Sequence, residues 1–288
     1  MKQMPKVIYS PDSQIAASEL LSPIAIIRNL SKHRELIIAY TKREYEAMHR
    51  NTFLGAAWSM LTPLIYLALF TFVFGYIFQG RFSGAADETA GDFAIALFVG
   101  LALYLCIGQV LNQAPTLMLG NAAYVKTLAF PVEILPVAQV AVLLINLLIS
   151  LGLCLLAFLV INGFIHWTVV FVLVHIIATA FIALGLAWFL SALGVFVRDT
   201  PSVTSPLSMV LMFLSGVFFS ITSLPAQLQI LFKVNPLAIL IYQARQAMLY
   251  GEIPNVMILF GLLMGSILCA ITGYYFFQRS KSSFSDVM

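Results

Sequence analysis

Charged side chains are scarce in this sequence. Asp, Glu, Lys and Arg make up 9% of its 288 residues, hydrophobic residues make up 61%, and the mean hydropathy is +0.98. This composition excludes a water-facing globular surface. A helix of about 20 residues crosses a bilayer, and the sequence contains long stretches without any charged residue: 51–80, 93–125, 134–197, 200–232 and 253–278. The sequence therefore predicts an all-α membrane protein.

Cysteine is also rare. Cys106, Cys154 and Cys269 lie far apart within apolar runs, a spacing that suits neither a metal site nor a disulfide framework. We expect them to behave as small buried hydrophobic side chains, and we predict no metal site in the chain.

The chain lacks the sequence features of two energy sources. It contains no Gly-x-x-x-x-Gly-Lys-[Ser/Thr] nucleotide loop, so we expect no ATP hydrolysis by this chain alone. A gradient-driven carrier normally needs a titratable group in the membrane, and the charge-free stretches hold no carboxylate. His175 lies deep in one of them, where an interhelical hydrogen-bonded histidine and a proton relay both fit the sequence. The sequence indicates a transport subunit that is driven by another protein.

Candidate catalytic residues are equally few. Asp87, Glu88 and Asp92 form an acidic group in a predicted outer loop. They suit either a solvated loop or a carboxylate cluster for acid–base chemistry or a metal, and no His or Cys stands beside them. We predict no catalytic residue, and we expect no nucleic-acid partner.

Six transmembrane helices follow from the charge-free stretches and from the Pro, Gly and Asn residues between them. Asn162-Gly163 divides the longest stretch into two spans. Basic residues then fall mostly on the side of the N-terminus, which the positive-inside rule assigns to the cytosol. We therefore expect a multi-pass protein of the inner (plasma) membrane with both termini in the cytosol. The predicted spans are 57–79, 94–118, 137–161, 168–197, 203–221 and 256–278.

Three segments lie outside these spans. Residues 1–30 lack the apolar core and cleavage site of a secretory signal, and we predict a cytosolic tail there. Residues 31–50 alternate apolar and basic side chains at helical spacing, which predicts an amphipathic interface helix on the membrane surface. Residues 222–255 are broken at Asn235-Pro236 and predict short re-entrant or outer-surface helices between the fifth and sixth spans. We treat 51–288 as one six-helix transmembrane domain.

The sixth predicted span carries a ridge of small residues. Gly261, Gly265, Cys269 and Gly273 recur at every fourth position. Small side chains let two helix backbones approach closely. We therefore expect this face of the span to pack against another helix.

Four segments resemble those of a known family. KREYEAMHRNTFLGAAWSMLTPL (42–64) leads a basic helix into the first span, and LGNAAYVKTLAFPVEILP (119–136) forms a loop on the cytosolic side. FVRDT (196–200) ends the fourth span, and VNPLAILIYQARQAMLYG (234–251) precedes the last. Together they are similar to the membrane-spanning subunit of type-2 ABC exporters, in the branch that exports O-antigen, capsule and teichoic acid polymers. Thr127 departs from the family pattern, which often has a second basic residue there.

The resemblance implies an assembly. A homodimer of this chain would bind two copies of an ABC ATPase subunit, which would hold ATP and Mg, so that this chain needs no cofactor of its own. The helix at 119–126 would act as a coupling helix in a cleft of the ATPase, with Asn121 able to cap it and Lys126 available to an acidic partner. Without the family, an ordinary cytosolic turn explains the same loop. The implied coupling residues are Asn121, Tyr124, Val125, Lys126, Pro131 and Glu133.

Two further groups of residues are candidates for contact with a substrate. Arg43, His49 and Arg50 suit the pyrophosphate of a lipid carrier, because guanidinium groups bind phosphate bidentately. Attraction to anionic membrane lipid explains them equally. Aromatic residues make up 13% of the chain, and as a set they suit the lining of a sugar-conducting channel, although each one also suits packing or lipid contact. The candidate channel residues are Tyr66, Phe70, Phe74, Phe78, Phe213, Phe218 and Phe219.

These observations predict the permease subunit of an ATP-driven ABC exporter that moves lipid-linked, O-antigen-like polysaccharide across the inner membrane. Three alternatives stay open. An exporter of a drug or small lipid would have the same fold. An integral-membrane enzyme acting on lipid-linked sugars would need a converging cluster of polar residues, and a gradient-driven carrier would depend on His175.

Overall fold

The computed structural model describes residues 23–50, 52–77, 89–126, 130–219 and 225–288. Most residues in these ranges are helical. The helix that ends at Phe70, the third in the list below, continues as a π-helical turn, Thr71–Ile77, and a 3-10 turn at Trp167–Phe171 leads into the seventh helix. The helices are α1 (Pro23–Lys32), α2 (Arg34–His49), α3 (Trp58–Phe70), α4 (Ala90–Gly120), α5 (Ala122–Val125), α6 (Ile134–Asn162), α7 (Val172–Phe196), α8 (Thr200–Leu214), α9 (Ala226–Val234), α10 (Pro236–Leu249), α11 (Val256–Ser280) and α12 (Phe284–Val287).

The chain is an all-α membrane protein. Four helical segments in the described ranges are long and apolar enough to cross a bilayer: Ala90–Gly120, Ile134–Asn162, Trp167–Phe196 and Val256–Ser283. Two shorter apolar helices, α3 with its π turn and α8, stand where the first and fifth spans were predicted. α8 has 15 residues, about 22 Å at 1.5 Å per residue. It ends at Leu214, seven residues before the predicted end of the fifth span at 221, and Gly216 follows in a left-handed conformation (φ +65°).

α1 overlaps the end of the stretch, 1–30, that we predicted to be a tail. Ile26 is buried in a cluster with the end of α11, and Asn29 Nδ2 donates to the Tyr274 hydroxyl (2.9 Å). A turn at His33 separates α1 from α2. Among the described residues, the helical region that precedes the membrane spans therefore includes α1 as well as α2, because Ile26 and Asn29 hold α1 against the bundle.

α4 is the central helix of the bundle. Every residue from Phe93 to Tyr104 is buried, as expected for a helix that is apolar around its whole circumference. α3, α6, α7, α8 and α10 all pack against it. The relative positions of these helices therefore depend on the surface of α4.

The predicted ridge on α11 is confirmed over its second half. Gly185 of α7 lies against Cys269 and Gly273, and a Cβ added at either glycine would collide with the opposing backbone. Gly261 and Gly265 face open space. Close contact between α7 and α11 therefore needs small residues only at the level where the two helices meet.

The two ends of the bundle carry different elements. We call the end where α1, α2, α5 and the C-terminal end of α11 meet the basal face, and the opposite end the distal face. At the distal face Thr89 and Asp92 form a reciprocal cap at the start of α4, and Asn162 Nδ2 at the end of α6 donates to Asp92 Oδ1 (2.9 Å). Asp92 thus has a structural role, and Asp87 and Glu88 lie outside the described residues.

Arg245 of α10 is buried near the distal face. Its guanidinium donates from Nε to Ala96 O (2.6 Å), from Nη1 to Gly216 O (2.8 Å) and from Nη2 to Val217 O (2.7 Å). Gly100 leaves the space for it, because a Cβ there would collide with the guanidinium. This arginine lies in the segment 222–255, for which we predicted short re-entrant or outer-surface helices. The structure has an arginine clamp there that joins α10, α4 and the end of α8.

Replacing Arg245 with Met is expected to lower the stability of the purified protein by at least about 3 kcal/mol, because buried carbonyl oxygens left without donors cost about 1–3 kcal/mol each. Thermal melting in detergent measures the loss. Lys233→Met removes an exposed basic residue from the neighbouring helix α9 and serves as the control. Equal melting temperatures for the two variants would show that the clamp contributes little.

Candidate functional site

The coupling segment predicted from the sequence lies on the basal face. α4 ends at Gly120, and α5 follows directly after Asn121. Asn121 Nδ2 donates to Leu117 O (2.9 Å) and so closes the end of α4. The start of α5 uses the Asn121 backbone carbonyl, which accepts from Tyr124 N (2.9 Å) and Val125 N (3.2 Å). We expected the Asn121 side chain to cap the coupling helix. It caps the end of α4 instead.

The short helix α5 has an outer and an inner side. Ala123 and Lys126 are exposed, whereas Tyr124 and Val125 are half-buried against the basal apolar cluster. Pro131 is half-buried where the chain returns towards α6. Residues 127–129, which include Thr127, lie outside the described residues. An external partner would therefore meet Ala123 and Lys126 first.

An aromatic cluster joins α5 to α2. The rings of Tyr40, Tyr124 and Phe130 lie with their centroids 5.1–5.4 Å apart. The Arg43 guanidinium stands 4.2 Å from the Tyr40 ring centroid, and its Nη1 donates to the Tyr124 hydroxyl (2.8 Å). Burial raises the pKa of Tyr40 to about 12, so its ring is neutral at physiological pH and suits a cation–π contact. Displacement of α5 would thus be transmitted to α2 through direct side-chain contact.

Glu133 faces the interior and not an external partner. Its carboxylate is buried and accepts from Lys281 Nζ (2.7 Å) and from Asn29 Nδ2 (3.1 Å). Its backbone carbonyl accepts from Trp188 Nε1 (3.1 Å). Burial by itself raises the pKa of the carboxyl, but the attraction of Lys281 and the hydrogen bonds outweigh it and hold the pKa below its usual value. Glu133 therefore anchors the return of the loop to α1, α7 and the chain end.

The predicted phosphate-facing residues are in different situations. Arg43 is occupied by the aromatic cluster and by Glu44, whose Oε1 lies 2.6 Å from Arg43 Nη2. Arg50 is exposed at the end of α2. The side chain of His49 lies outside the described residues. Of this set, Arg50 has the position that suits a ligand at the membrane surface.

The predicted channel aromatics form two groups. Tyr66 and Phe70 stack along α3 with centroids 6.2 Å apart. Phe213 packs on Phe218 (5.5 Å), and Phe219 packs on Phe232 of α9 (5.5 Å), at the distal end of α8. The side chain of Phe74 and all of Phe78 lie outside the described residues. The two groups belong to helices that both pack on α4.

A cleft of about 430 Å³ lies between α3, α4 and α6. Tyr66 lines it, together with Trp58 and the end of α2. Its other lining residues are not among those that we predicted as a site. They include the polar residues Thr52, Ser59, Thr62, Gln109, Asn146 and Ser150 and the apolar residues Pro63, Phe98, Ala102, Leu105, Cys106, Leu143 and Leu147.

His175 is fully buried in α7. Its Nδ1 lies 2.9 Å from the carbonyl oxygen of Phe171, the residue that directly precedes α7. Its Nε2 is buried without a hydrogen-bond partner among the described residues. The hydrogen bond of Nδ1 is thus local to the start of α7, and the Gln243 side chain of α10 also interacts with the imidazole.

We did not predict three of the residues whose contacts join the elements of the basal face: Asn29, Tyr40 and Lys281. Tyr40 shares the apolar spacing of Ile37 on α2, so its burial had a signal. Lys281 follows the last predicted span and Glu133 precedes α6, so the sequence places both on the same side of the membrane. Asn29 gave no signal, since its partners lie 104 and 245 residues further along the chain.

Comparison with known proteins gives one family and several relatives. The model of the family described as ABC-2 type transporter matches residues 35–249. The O-antigen export system permease protein RfbA of Myxococcus xanthus is 22% identical over 265 residues, which cover 91% of this chain and 99% of that protein. Two Klebsiella pneumoniae proteins of the same name are each 20% identical over 263 residues, covering 90% of this chain and 97% of each relative.

The ion pair between Glu133 and Lys281 is expected to make stability depend on pH. Because the pKa of Glu133 is lowered in the folded chain, its contribution is present above the usual carboxyl pKa of about 4.3 and is lost as the pH falls through the lower folded value. Lys281→Met should destabilise the protein at pH 7 by about 1–2 kcal/mol, a modest amount because Lys281 is partly exposed. Thermal melting from pH 7 to pH 3 measures this.

The difference between wild type and Lys281→Met should shrink in acid. Arg279→Met, a change two residues away at an exposed basic position, is the control and should follow the wild type at every pH. A constant gap between wild type and Lys281→Met down to pH 3 would contradict the ion-pair explanation.

Proposed function

The chain belongs to the ABC-2 type transporter family, and we propose that it is the permease subunit of an ATP-driven exporter of lipid-linked polysaccharide, with an O-antigen-like polymer as cargo. The observation that carries the proposal is similarity along the full length. Each relative described above is called an O-antigen export permease, and at least 97% of its length is matched. Similarity that includes both the basal face and the distal helices supports a shared cargo class, whereas a shared core alone would support only shared transport.

The proposed membrane arrangement follows from charge. Among the described residues, the basic residues of the basal face far outnumber those of the distal side, where Lys233 is exposed and Arg245 is buried. By the positive-inside rule the basal face and both termini lie in the cytosol, and the membrane is the inner membrane. α3 and α8 complete six crossings, since a short span is accommodated by local thinning of the bilayer. The basal basic residues are Arg28, Lys32, Arg34, Lys42, Arg43, Arg50, Lys126, Arg198, Arg279 and Lys281.

Energy reaches this chain through α5 in the proposed mechanism. Two copies of an ABC ATPase subunit bind ATP and Mg and contact the exposed side of α5, with Lys126 paired to an acidic group. The hydrogen bond from Arg43 Nη1 to the Tyr124 hydroxyl (2.8 Å) passes the movement to α2. Glu133 passes the movement to α6, because this residue directly precedes that helix. Its carboxylate is held by Lys281 Nζ (2.7 Å). Pro131 and Glu133 were predicted to act in coupling. In this mechanism they do so inside the chain and not by contact with the ATPase.

A homodimer is the proposed working unit, with the polymer channel between the two copies. α3 and α8 lie against α4 with one side and leave most of their apolar side chains exposed, among them Ile65 (54%) and Leu207 (51%). Large exposed apolar faces mark contact with a partner or with lipid. Phe213 is 48% exposed on α8 and is the candidate that best suits a channel wall. Arg50 suits the phosphate of the lipid carrier at the cytosolic surface.

Loss of the gene is expected to leave the polymer inside the cell. Deletion in the native host should abolish surface polysaccharide and cause lipid-linked polymer to accumulate in the cytosolic leaflet, and the wild-type gene should restore export. Extraction of lipid-linked glycans, combined with surface labelling of intact cells, measures both pools. Normal surface polymer with accumulation of a drug or a simple lipid would overturn the proposed cargo.

Lys126→Glu is expected to weaken binding of the ATPase by about tenfold or more, because it places a like charge opposite the acidic partner group. Pull-down and titration of the detergent-purified ATPase against the full chain measure the affinity. Lys233→Glu makes the same change on the distal face, which the ATPase does not reach, and should bind like wild type. Equal affinities for the two variants would contradict the role of Lys126.

A further inference from the structure

The cleft between α3, α4 and α6 has no part in the mechanism described so far. Its volume of about 430 Å³ falls in the range of small-molecule sites, about 300–1,000 Å³. Met48 and Thr52 line it from the basal end, where α2 meets α3. The cleft therefore extends into the bundle from the level of the membrane surface that a cytosolic substrate would reach first.

Polar side chains enter the cleft from all three helices. Ser59 and Thr62 belong to α3, Gln109 belongs to α4, and Asn146 and Ser150 belong to α6. Polar groups within membrane helices are costly, and they mark functional positions when they converge. Their convergence on one cleft indicates a ligand that forms hydrogen bonds.

Asn146 has unused hydrogen-bonding capacity. Its Nδ2 lies 3.8 Å from Met48 Sδ, a weak contact. Its Oδ1 is buried and has no hydrogen-bond partner among the described residues. Buried polar atoms are nearly always paired with protein, water or ligand. An occupant that carries a donor would complete the pairing of this oxygen.

Aromatic rings and the absence of charge narrow the chemistry of the occupant. Trp58 and Tyr66 are 38% and 39% exposed and line the cleft, and Phe98 forms part of its buried wall. No charged residue is found among the described residues that line it. The bound group is therefore neutral. Flat aromatic faces beside amide and hydroxyl groups suit a sugar ring, which has apolar C–H faces and hydroxyl edges.

We propose that the cleft binds one neutral sugar ring of the exported polymer within each chain. A sugar hydroxyl donates to Asn146 Oδ1, and the ring lies against Trp58 or Tyr66. The inference rests on the proposed function and deepens it, because it assigns substrate contact to a site within a single chain. A lipid acyl chain is the weaker candidate, because it would leave Asn146 Oδ1 unpaired.

The test uses the full chain with its ATPase in nanodiscs and follows ATP hydrolysis against the concentration of purified lipid-linked polymer. Asn146→Leu is expected to raise the half-saturating polymer concentration about five- to tenfold at unchanged maximal rate, as loss of one or two hydrogen bonds predicts. Asn146→Gln, which keeps the amide, should recover part of this. The melting temperature is measured for every variant.

Gln139→Leu is the matched control. Gln139 lies two turns earlier on α6 and is also an amide whose oxygen is buried without a partner among the described residues, but it does not line the cleft. It should leave the half-saturating concentration unchanged. Equal values for Asn146→Leu and Gln139→Leu, or a phospholipid retained in the cleft that polymer does not displace, would overturn the sugar site alone. A wild-type ATPase that polymer never stimulates would overturn the proposed function as well.

Discussion

The burial of α4 among its neighbours is the constraint on which the rest of the structure depends. Lipid tails are as apolar as leucine, so helices in a membrane associate through close van der Waals contact and through hydrogen bonds. α4 offers both kinds of contact. Its apolar half from Phe93 to Tyr104 is enclosed, and Tyr104 OH donates to Ser208 O of α8 (2.8 Å) while Asn112 accepts from Ser205 (2.8 Å). α8 is thus attached to the core by polar contacts as well as by the packing of Leu211 and Met212.

In the proposed mechanism, the basal face is the part of the bundle that another protein moves. Its elements come from the beginning, the middle and the end of the chain, and they are joined by one ion pair and one aromatic cluster. Glu133 is buried, and the partly exposed Lys281 offsets the cost of burying its carboxylate. The short helix α5 is therefore held on its inner side and left open on its outer side. That arrangement suits a lever between an ATPase and the membrane helices.

The candidate site was only partly predictable. Helical spacing placed Tyr66 on a stripe with Phe70, and Tyr66 does line the cleft. The same spacing gave no reason to group it with Asn146 and Gln109, because periodicity within one helix indicates a face but not the neighbour of that face. Glu133 was named as a coupling residue because its segment resembles that of the family, and the resemblance does not show which residues meet within this chain. In the structure a lysine 148 residues away lies 2.7 Å from the Glu133 carboxylate.

The sequence by itself determined that this protein lies in a membrane and that it belongs to a family. Hydropathy and the spacing of charges are properties of continuous segments, and the cost of charge in lipid is large enough that long charge-free stretches predict membrane helices without knowledge of their neighbours. The tertiary structure alone decided which polar groups meet: Arg245 with three carbonyl oxygens, Glu133 with Lys281, and Asn146 with Gln109 along one cleft. Those pairings depend on distances of a few ångströms between helices that lie far apart in the chain, and helix packing sets such distances.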